Sequence, residues 1–135
     1  MPGRSYLLDT NVLLAALLAP DTLPGQVAAA LSDGANAVYF SAASIWEIAI
    51  KRSLNRGDFN FLPQDIHQLA LDTGFTELHL RGEDFYPLAM LPWHHRDPFD
   101  RLLVVQAQGL PAYLLTTDSA LHAYSELVVQ LTLRP

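Results

Sequence analysis

Hydrophobic residues along the chain fall into short runs separated by segments of helical length. Most of the short runs are near-continuous and do not alternate with polar residues, which is typical of strands buried on both faces. The predicted strands are residues 6–8, 37–40, 75–80, 112–116 and 128–133. The predicted helices are residues 11–18, 25–31, 41–54, 63–73, 83–91, 98–108 and 119–124.

Several predicted helix boundaries carry their own signals. Thr10 is a plausible N-cap of the first helix, and Pro20 follows its end. Residues 55–58 end the third helix, and Pro98 suits the first position of the helix that it begins. Strands that alternate with helices predict an α/β doubly wound domain, with a parallel sheet covered on both faces. Ligands bind such sheets beyond the carboxyl ends of the strands.

Composition limits the class of protein. The 135 residues, 50% of them hydrophobic, predict a single domain over residues 1–135, and the absence of Cys excludes disulfides and cysteine-ligated zinc. The net charge of -6 argues against a basic nucleic-acid coat, but not against a nuclease whose acids hold cations. The apolar run 12–19 is shorter than the ~20 residues of a membrane span. We therefore expect a cytoplasmic protein without membrane association.

Two aspartates come after predicted strands. Asp9 directly follows the first strand, and Asp118 follows the fourth. Either residue alone is typical of a helix N-cap. Because the carboxyl ends of parallel strands meet at one edge, the coincidence of the two favours a functional site.

Glu47 lies one turn into the third predicted helix, among small and apolar residues. Its spacing from Ser44 fits a capping box, and Lys51 is placed for an ion pair on the helix surface. Ser41 is an equally good cap, which would leave Glu47 free to point at the same edge as Asp9. Both interpretations stay open.

Asp97 and Asp100 lie where a helix follows a His-rich loop. Asp97 fits an N-cap, and Asp100 lies in the first turn, where the helix dipole favours an acid. Capping explains Asp97 better than it explains Asp100.

Four carboxylates at the starts of helices can converge on one small volume: Asp9, Glu47, Asp100 and Asp118. Like charges this close repel, so the cluster needs a cation or retained protons. Oxygen ligands without Cys favour Mg²⁺ or Mn²⁺ over zinc. A metal held this way suits hydrolysis of phosphodiester bonds.

The segments around these acids resemble the signature blocks of PIN-domain proteins, most of all VapC toxins of bacterial type II toxin–antitoxin pairs. The segments are residues 7–14 (LLDTNVLL), 41–51 (SAASIWEIAIK), 94–103 (HHRDPFDRLL) and 115–118 (LTTD). They occur in family order and span essentially the whole chain, which is far more specific than any single motif.

This resemblance implies a PIN-like three-layer domain with a five-stranded parallel sheet, and a Mg²⁺- or Mn²⁺-dependent endoribonuclease. It implies that Asp9, Asp100 and Asp118 hold metal, and that Glu47 binds it directly or through water. Asn11 stands where many relatives carry His, a variable position that could alter substrate preference. Relatives are usually homodimers inhibited by a small antitoxin, which commonly brings an arginine to the acids.

Residues that would contact RNA phosphates are less clear. The candidates lie in or near the same blocks as the acids: Lys51, Arg52, Arg56, Arg96 and Arg101. Helix-surface pairs of Glu47 with Lys51 and of Asp97 with Arg101 are the favoured alternative.

Histidines and aromatic residues near these blocks are open to two interpretations. His94 and His95 could donate protons, but we favour a polar loop. Core or interface packing is favoured over base stacking for four aromatic residues: Trp46, Phe85, Tyr86 and Trp93.

Two other functions compete. A phosphotransferase that forms an aspartyl-phosphate would need a second Asp where Asn11 stands, or a Lys after a late strand, and the only Lys is Lys51 in a helix. A PIN-like module could instead bind RNA or protein without cutting it, although the intact acids argue against this.

Overall fold

The structure is a computed structural model that describes residues 3–55, 57 and 59–135. Across these residues, five parallel strands form one sheet in the order β3-β2-β1-β4-β5. The strands are β1 (Ser5–Leu8), β2 (Ala37–Ser41), β3 (Thr76–Leu78), β4 (Tyr113–Thr116) and β5 (Val128–Gln130). The predicted α/β class and its parallel sheet are confirmed.

Helices connect the strands. The α-helices are α1 (Thr10–Leu18), α2 (Gly25–Ser32), α3 (Ala42–Ser53), α4 (Pro63–Thr73) and α5 (Pro98–Gly109). Short 3₁₀ helices cover Pro20–Thr22, Gly82–Met90 and Ser119–Tyr124. No helix in the described ranges combines the length and apolarity needed to cross a membrane.

Hydrophobic side chains are buried on both faces of the sheet. On one face Leu8 and Leu115 belong to the core that α1, α3 and α4 cover. On the other face Leu7 and Leu114 pack with Leu103 and neighbouring residues of α5. Successive residues of a strand point to opposite faces, so a central strand buried on both faces has no polar side. This explains the near-continuous apolar runs of β1 and β4.

Several element boundaries differ from the sequence prediction. β3 and β5 are shorter than the predicted 75–80 and 128–133 because each is an edge strand that pairs with one neighbour over three residues. The predicted helix 83–91 is a 3₁₀ helix containing Pro87, whose missing N–H cannot complete an α-helical hydrogen bond. Within the predicted helix-ending segment 55–58, Arg56 and Asp58 lie outside the described residues.

The direction of winding changes between β1 and β4. From β1 the chain proceeds to β2 and β3 on one side, and it later adds β4 and β5 on the other. At the carboxyl ends of β1 and β4 the N–H of Asp9 donates to the carbonyl of Leu115 at 3.0 Å, which links the two strands. Ligands of doubly wound sheets bind at such a switch point.

Candidate metal centre

Asp9 lies at the carboxyl end of β1 and caps α1. Its Oδ1 accepts from the N–H of Val12 at 2.8 Å, so Asp9 is the N-cap and the predicted cap, Thr10, is the first residue of the helix. Its Oδ2 accepts from the Thr116 hydroxyl at 2.6 Å and from the Thr117 N–H at 3.3 Å. The short side chain of Asp9 reaches the helix N–H groups from outside the first turn, which is the geometry of a cap.

Burial sets the charge state of Asp9, which is only 5% exposed. Burial raises the pKa of Asp9 above its usual value, while hydrogen bonds from Thr116, Val12 and Thr117 lower it. The negative charge of Glu47 raises it further. Asp9 therefore resists ionisation when nothing positive lies beside it.

Asp118 follows β4 and is tied to Asp9 through one hydroxyl. The buried Thr116 hydroxyl donates to Asp9 and accepts from the Asp118 N–H at 3.0 Å. The Oδ1 atom of Asp118 accepts from the Ala120 N–H at 2.9 Å and caps the 3₁₀ helix Ser119–Tyr124. Asp9 and Asp118 are thus both helix caps and neighbours at the edge of the sheet.

Glu47 projects from α3 towards Asp9. Ser41 is the N-cap of α3, so Ser44 and Glu47 do not form the capping box that their spacing allowed. Instead, Glu47 Oε1 accepts from the Thr10 hydroxyl at 2.6 Å, and Glu47 Oε2 lies 3.0 Å from Lys51 Nζ. The predicted pair of Glu47 with Lys51 is present, and Glu47 still faces the acid cluster.

Asp97 is the N-cap of α5, as the sequence predicts, and Asp100 lies in the first turn beside it. Asp97 caps α5 by accepting from the N–H groups of Phe99 and Asp100. Burial, followed by the negative charge of Asp97, raises the pKa of Asp100 to about 7. A hydrogen bond from His95 opposes this rise, and the charge of Asp9 adds to it. Like charges this close to Asp100 oppose its ionisation.

His95 lies in the predicted polar loop, but its side chain lies between two of the acids, a position that the sequence did not predict. Its Nε2 is 3.1 Å from Asp100 Oδ2 and 2.9 Å from Asp118 Oδ2. The adjacent His94 instead packs edge-on against Tyr124, with ring centroids 4.9 Å apart. The only sequence signal was a pair of adjacent histidines just before an acid-capped helix, which does not say which ring faces the acids.

One polar cavity of about 220 Å³ joins the acids. It is lined by Asp9, Thr10, Asn11, Glu47, Lys51, Asp97, Asp100, Thr117 and Asp118. A larger, mainly apolar cavity of about 540 Å³ adjoins it across Asn11 and Thr117. Of these two cavities, only the smaller is lined by carboxylate side chains, so we assign the candidate site to it.

The predicted phosphate contacts have different surroundings. Arg52 and Arg96 are exposed, and Lys51 pairs with Glu47. Arg101 is only 4% exposed, so it offers little surface to an RNA phosphate, and we do not retain it among the proposed phosphate contacts. Its guanidinium donates to loop carbonyls and lies 3.7 Å from the centroid of the Trp93 ring. The predicted candidate Arg56 lies outside the described residues.

Four aromatic side chains assigned to core or interface packing are exposed: Trp46, Phe85, Tyr86 and Trp93. Core packing is therefore wrong for them. Trp46 packs edge-on against Phe99 of α5 at 4.9 Å, beside the acids of α3 and α5. Phe85 and Tyr86 lie in the 3₁₀ helix Gly82–Met90, and Trp93 lies in the loop that follows it.

A sequence model described as the PIN domain matches residues 6–127. The chain belongs to the PIN domain family. No curated protein matches the sequence significantly.

Two solved structures resemble this PIN domain in fold. One is the crystal structure of VapBC2 from Rickettsia felis bound to a DNA fragment from their promoter, with a TM-score of 0.68 and 15% identity over 96% of this chain and 98% of that chain. The other is a domain of a functionally unknown protein from Methanocaldococcus jannaschii DSM 2661, with a TM-score of 0.56 and 14% identity over 90% of this chain and 83% of that chain.

The donor set of this PIN domain fits a divalent metal ion. Ligand atoms of His95, Asp100 and Asp118 all lie within 4.8 Å of one another. Asp9 and Glu47 line the same polar cavity as the two aspartates. A cation there would offset the repulsion that raises the pKa of Asp100.

Proposed function

We propose that this PIN domain is a metal-dependent endoribonuclease and the toxin of a type II toxin–antitoxin pair. The observation that carries the proposal is the convergence of four carboxylates on one polar cavity: Asp9, Glu47, Asp100 and Asp118. Membership of the PIN family supports it, because PIN domains are typically nucleases.

The four carboxylates would hold Mg²⁺ or Mn²⁺. Asp9, Asp100 and Asp118 are the proposed direct ligands, and Glu47 would bind directly or through water. A divalent ion polarises a phosphoryl oxygen and supplies hydroxide at neutral pH. The chain itself orients the ligands, because Thr116 fixes both Asp9 and Asp118 and Thr10 fixes Glu47.

RNA would approach over exposed cations that are next in sequence to residues lining the cavity. Arg52 and Arg96 are the proposed phosphate contacts, together with Lys51, which lines the cavity itself. Such contacts position the backbone and carry no base specificity.

An aspartyl-phosphate mechanism fits the site less well. It would use Asp9 as a nucleophile, yet Asp9 is buried and accepts hydrogen bonds from Val12, Thr116 and Thr117. Both oxygens of this carboxylate already accept hydrogen bonds from the protein, so it is poorly placed to attack phosphorus.

Cleavage of a panel of structured RNAs in Mg²⁺ or Mn²⁺ tests the proposal. We expect discrete cuts by the wild-type chain that are lost in EDTA and in Asp100→Asn. Asp21→Asn, which changes an exposed acid beyond the far end of α1, is the matched control and should cut normally. Activity that survives in Asp100→Asn would indicate a contaminant. Metal binding without any cleavage would favour the non-catalytic RNA- or protein-binding module.

The partner is proposed to be a small antitoxin, with the PIN domain acting as a cytoplasmic homodimer. The likeness in fold to a chain of the Rickettsia felis VapBC2 structure supports this assignment. Exposed apolar side chains such as Tyr86, Met90 and Trp93 are available for contacts between chains.

Co-expression with the small protein of the neighbouring reading frame should relieve growth arrest, and light scattering should give the mass of a dimer. Arrest that persists although the two proteins form a complex would contradict the antitoxin assignment.

A further inference from the structure

His95 is the one histidine among the described residues that lies with the clustered acids at metal-ligand spacing. Its Nε2 lies 2.9 Å from Asp118 Oδ2 and 3.1 Å from Asp100 Oδ2. We propose that His95 binds the metal through Nε2 beside Asp100 and Asp118, and that this nitrogen makes the centre prefer Mn²⁺ to Mg²⁺. The inference rests on the metal site of the proposed function, but not on the cleavage of RNA.

The separations of these donor atoms suit one six-coordinate ion. Ligands at about 2.1 Å from an octahedral ion lie about 3 Å from their nearest neighbours. The two distances from His95 Nε2 agree with that spacing. The third distance, between the two aspartates, is below 4.8 Å, and so it is also compatible with one coordination sphere.

The fold places His95 independently of the acids. Its backbone N–H donates to the hydroxyl of Tyr124 at 2.9 Å, and the same hydroxyl lies 3.1 Å from Arg101. Arg101 also donates to the carbonyl of Pro92 in the same loop. A side chain mounted on a loop that is fixed in this way is positioned before any ion binds.

The other acids are more fully engaged by the protein. Glu47 pairs with Lys51 and accepts from Thr10, which offsets part of its charge. Asp9 accepts three hydrogen bonds. These two acids would contribute their charge but have fewer lone pairs free to bind the metal. His95, Asp100 and Asp118 are therefore the principal metal ligands of the proposal.

An imidazole ligand changes which metal the site selects. Mg²⁺ prefers oxygen ligands and loses its waters reluctantly, whereas transition metals accept imidazole readily. A set of carboxylates alone would discriminate weakly between Mg²⁺ and Mn²⁺. The addition of His95 should shift the preference to Mn²⁺.

Pulsed electron paramagnetic resonance of the full chain loaded with Mn²⁺ tests the ligand directly. We expect modulation from one imidazole nitrogen, which changes on ¹⁵N-histidine labelling and disappears in His95→Gln. His94→Gln is the matched control, because its ring packs on Tyr124, and it should keep the modulation. Bound Mn²⁺ without nitrogen coupling would overturn the proposal and show that His95 leaves the acids when metal binds.

Calorimetric titration with Mn²⁺ and Mg²⁺ tests the selectivity. His95→Gln, which offers an amide oxygen, should weaken Mn²⁺ binding about tenfold more than Mg²⁺ binding. His94→Gln should leave the ratio of the two dissociation constants unchanged. Equal weakening for both ions in a folded His95→Gln variant would indicate a structural role and overturn the proposal.

Parallel cleavage assays separate this inference from the proposed function. Cleavage with Mn²⁺ but without nitrogen coupling would overturn only the role of His95. Nitrogen coupling without cleavage of any RNA would support His95 and count against the nuclease. Failure to bind either ion at millimolar concentration would overturn both.

Discussion

Asp9 and Asp100 have the same side chain, but the protein holds them in different ways. Asp9 is a buried helix cap that accepts from three donors, so its carboxylate has a structural role besides its charge. Asp100 lies in the first turn of a helix that Asp97 already caps, and the one described hydrogen-bonding partner of its carboxylate is His95. Neutralising Asp100 therefore removes repulsion without removing a cap.

The stability of the metal-free protein should depend on pH through Asp100. Because its pKa rises from 3.8 to about 7, the folded chain keeps a proton that the unfolded chain releases between these pH values. The contribution of Asp100 to the free energy of unfolding is therefore full below about pH 4 and is lost as pH rises to about 7. Asp100→Asn should match the wild type near pH 4 and become more stable by on the order of 4 kcal/mol at pH 8.

Urea unfolding in EDTA from pH 4 to 8 measures this difference. Asp97, Asp9 and His95 are the charged or titratable groups that act on Asp100. Asp21→Asn, at an exposed position, should follow the wild type at every pH. A constant difference across the pH range, or a variant less stable than the wild type at pH 8, would show that the burial and repulsion of the ionised Asp100 do not control stability.

At the scale of elements, the end of β4 couples two of the proposed ligands. Thr116 is fully buried, and its hydroxyl donates to Asp9 and accepts from the Asp118 N–H. Thr116→Val keeps the shape but leaves that N–H without its acceptor, so we expect a loss of about 1–3 kcal/mol. Metal affinity should fall by about 10–100-fold, because partners of ligands commonly have effects of this size.

Thr116→Ser is the matched variant, because it keeps the hydroxyl and removes only a methyl group. Chemical unfolding and metal titration should show that Ser retains metal affinity even where it loses stability. Equal weakening of metal binding in Thr116→Ser and Thr116→Val would show that the hydroxyl of Thr116 does not position the acids.

Arg101, near the start of α5, is expected to stabilise the loop that precedes the helix. Arg101 donates to the carbonyls of Pro92 and Leu91 and to the hydroxyl of Tyr124. Arg101→Gln leaves partly buried acceptors without donors, so we expect a loss of about 1–3 kcal/mol in urea unfolding. Arg96→Gln, at an exposed position in the preceding loop, should change stability by less than about 0.5 kcal/mol.

For RNA binding we expect the reverse of the effects on stability, because Arg96 is exposed and Arg101 is buried. In an Asp100→Asn background, Arg96→Gln should make the plot of log association constant against log salt concentration less steep. We expect the magnitude of its slope to fall by about 0.7. Fluorescence anisotropy at several salt concentrations measures it. An unchanged slope would exclude Arg96 as a phosphate contact, and a reduced slope in a folded Arg101→Gln variant would contradict its burial.

Local pattern predicted the elements and the acids, because both depend on near neighbours in sequence. Apolar runs and positions after strands located β1, β4, Asp9 and Asp118. His95 and Arg101 could not be predicted in the same way. Their places depend on Tyr124, which lies 29 and 23 residues further along the chain. A hydrogen bond over that separation is decided by the tertiary fold and leaves no periodic signal.

Across the whole molecule, the proposed ligands come from separate parts of the chain that the fold brings to one edge. Asp9 follows β1, Glu47 lies on α3, Asp100 on α5, and Asp118 follows β4. Their mutual repulsion opposes that assembly in a chain whose net charge is already -6. A divalent ion should therefore stabilise the fold as a whole rather than one loop.

Thermal unfolding with and without metal measures this coupling. An ion that binds only the folded chain adds about 2.7 kcal/mol at a hundred times its dissociation constant, which is on the order of 10 °C in Tm for a domain of this size. We expect that increase with Mn²⁺, reversal by EDTA, and a much smaller shift in Asp118→Asn. Asp21→Asn should shift as the wild type does. Because the effect requires the ends of β1 and β4 to stay together, calorimetry should show one sharper transition at a higher temperature. An equal shift in Asp118→Asn would mean that the ion binds elsewhere and that the edge of the sheet is not the metal centre.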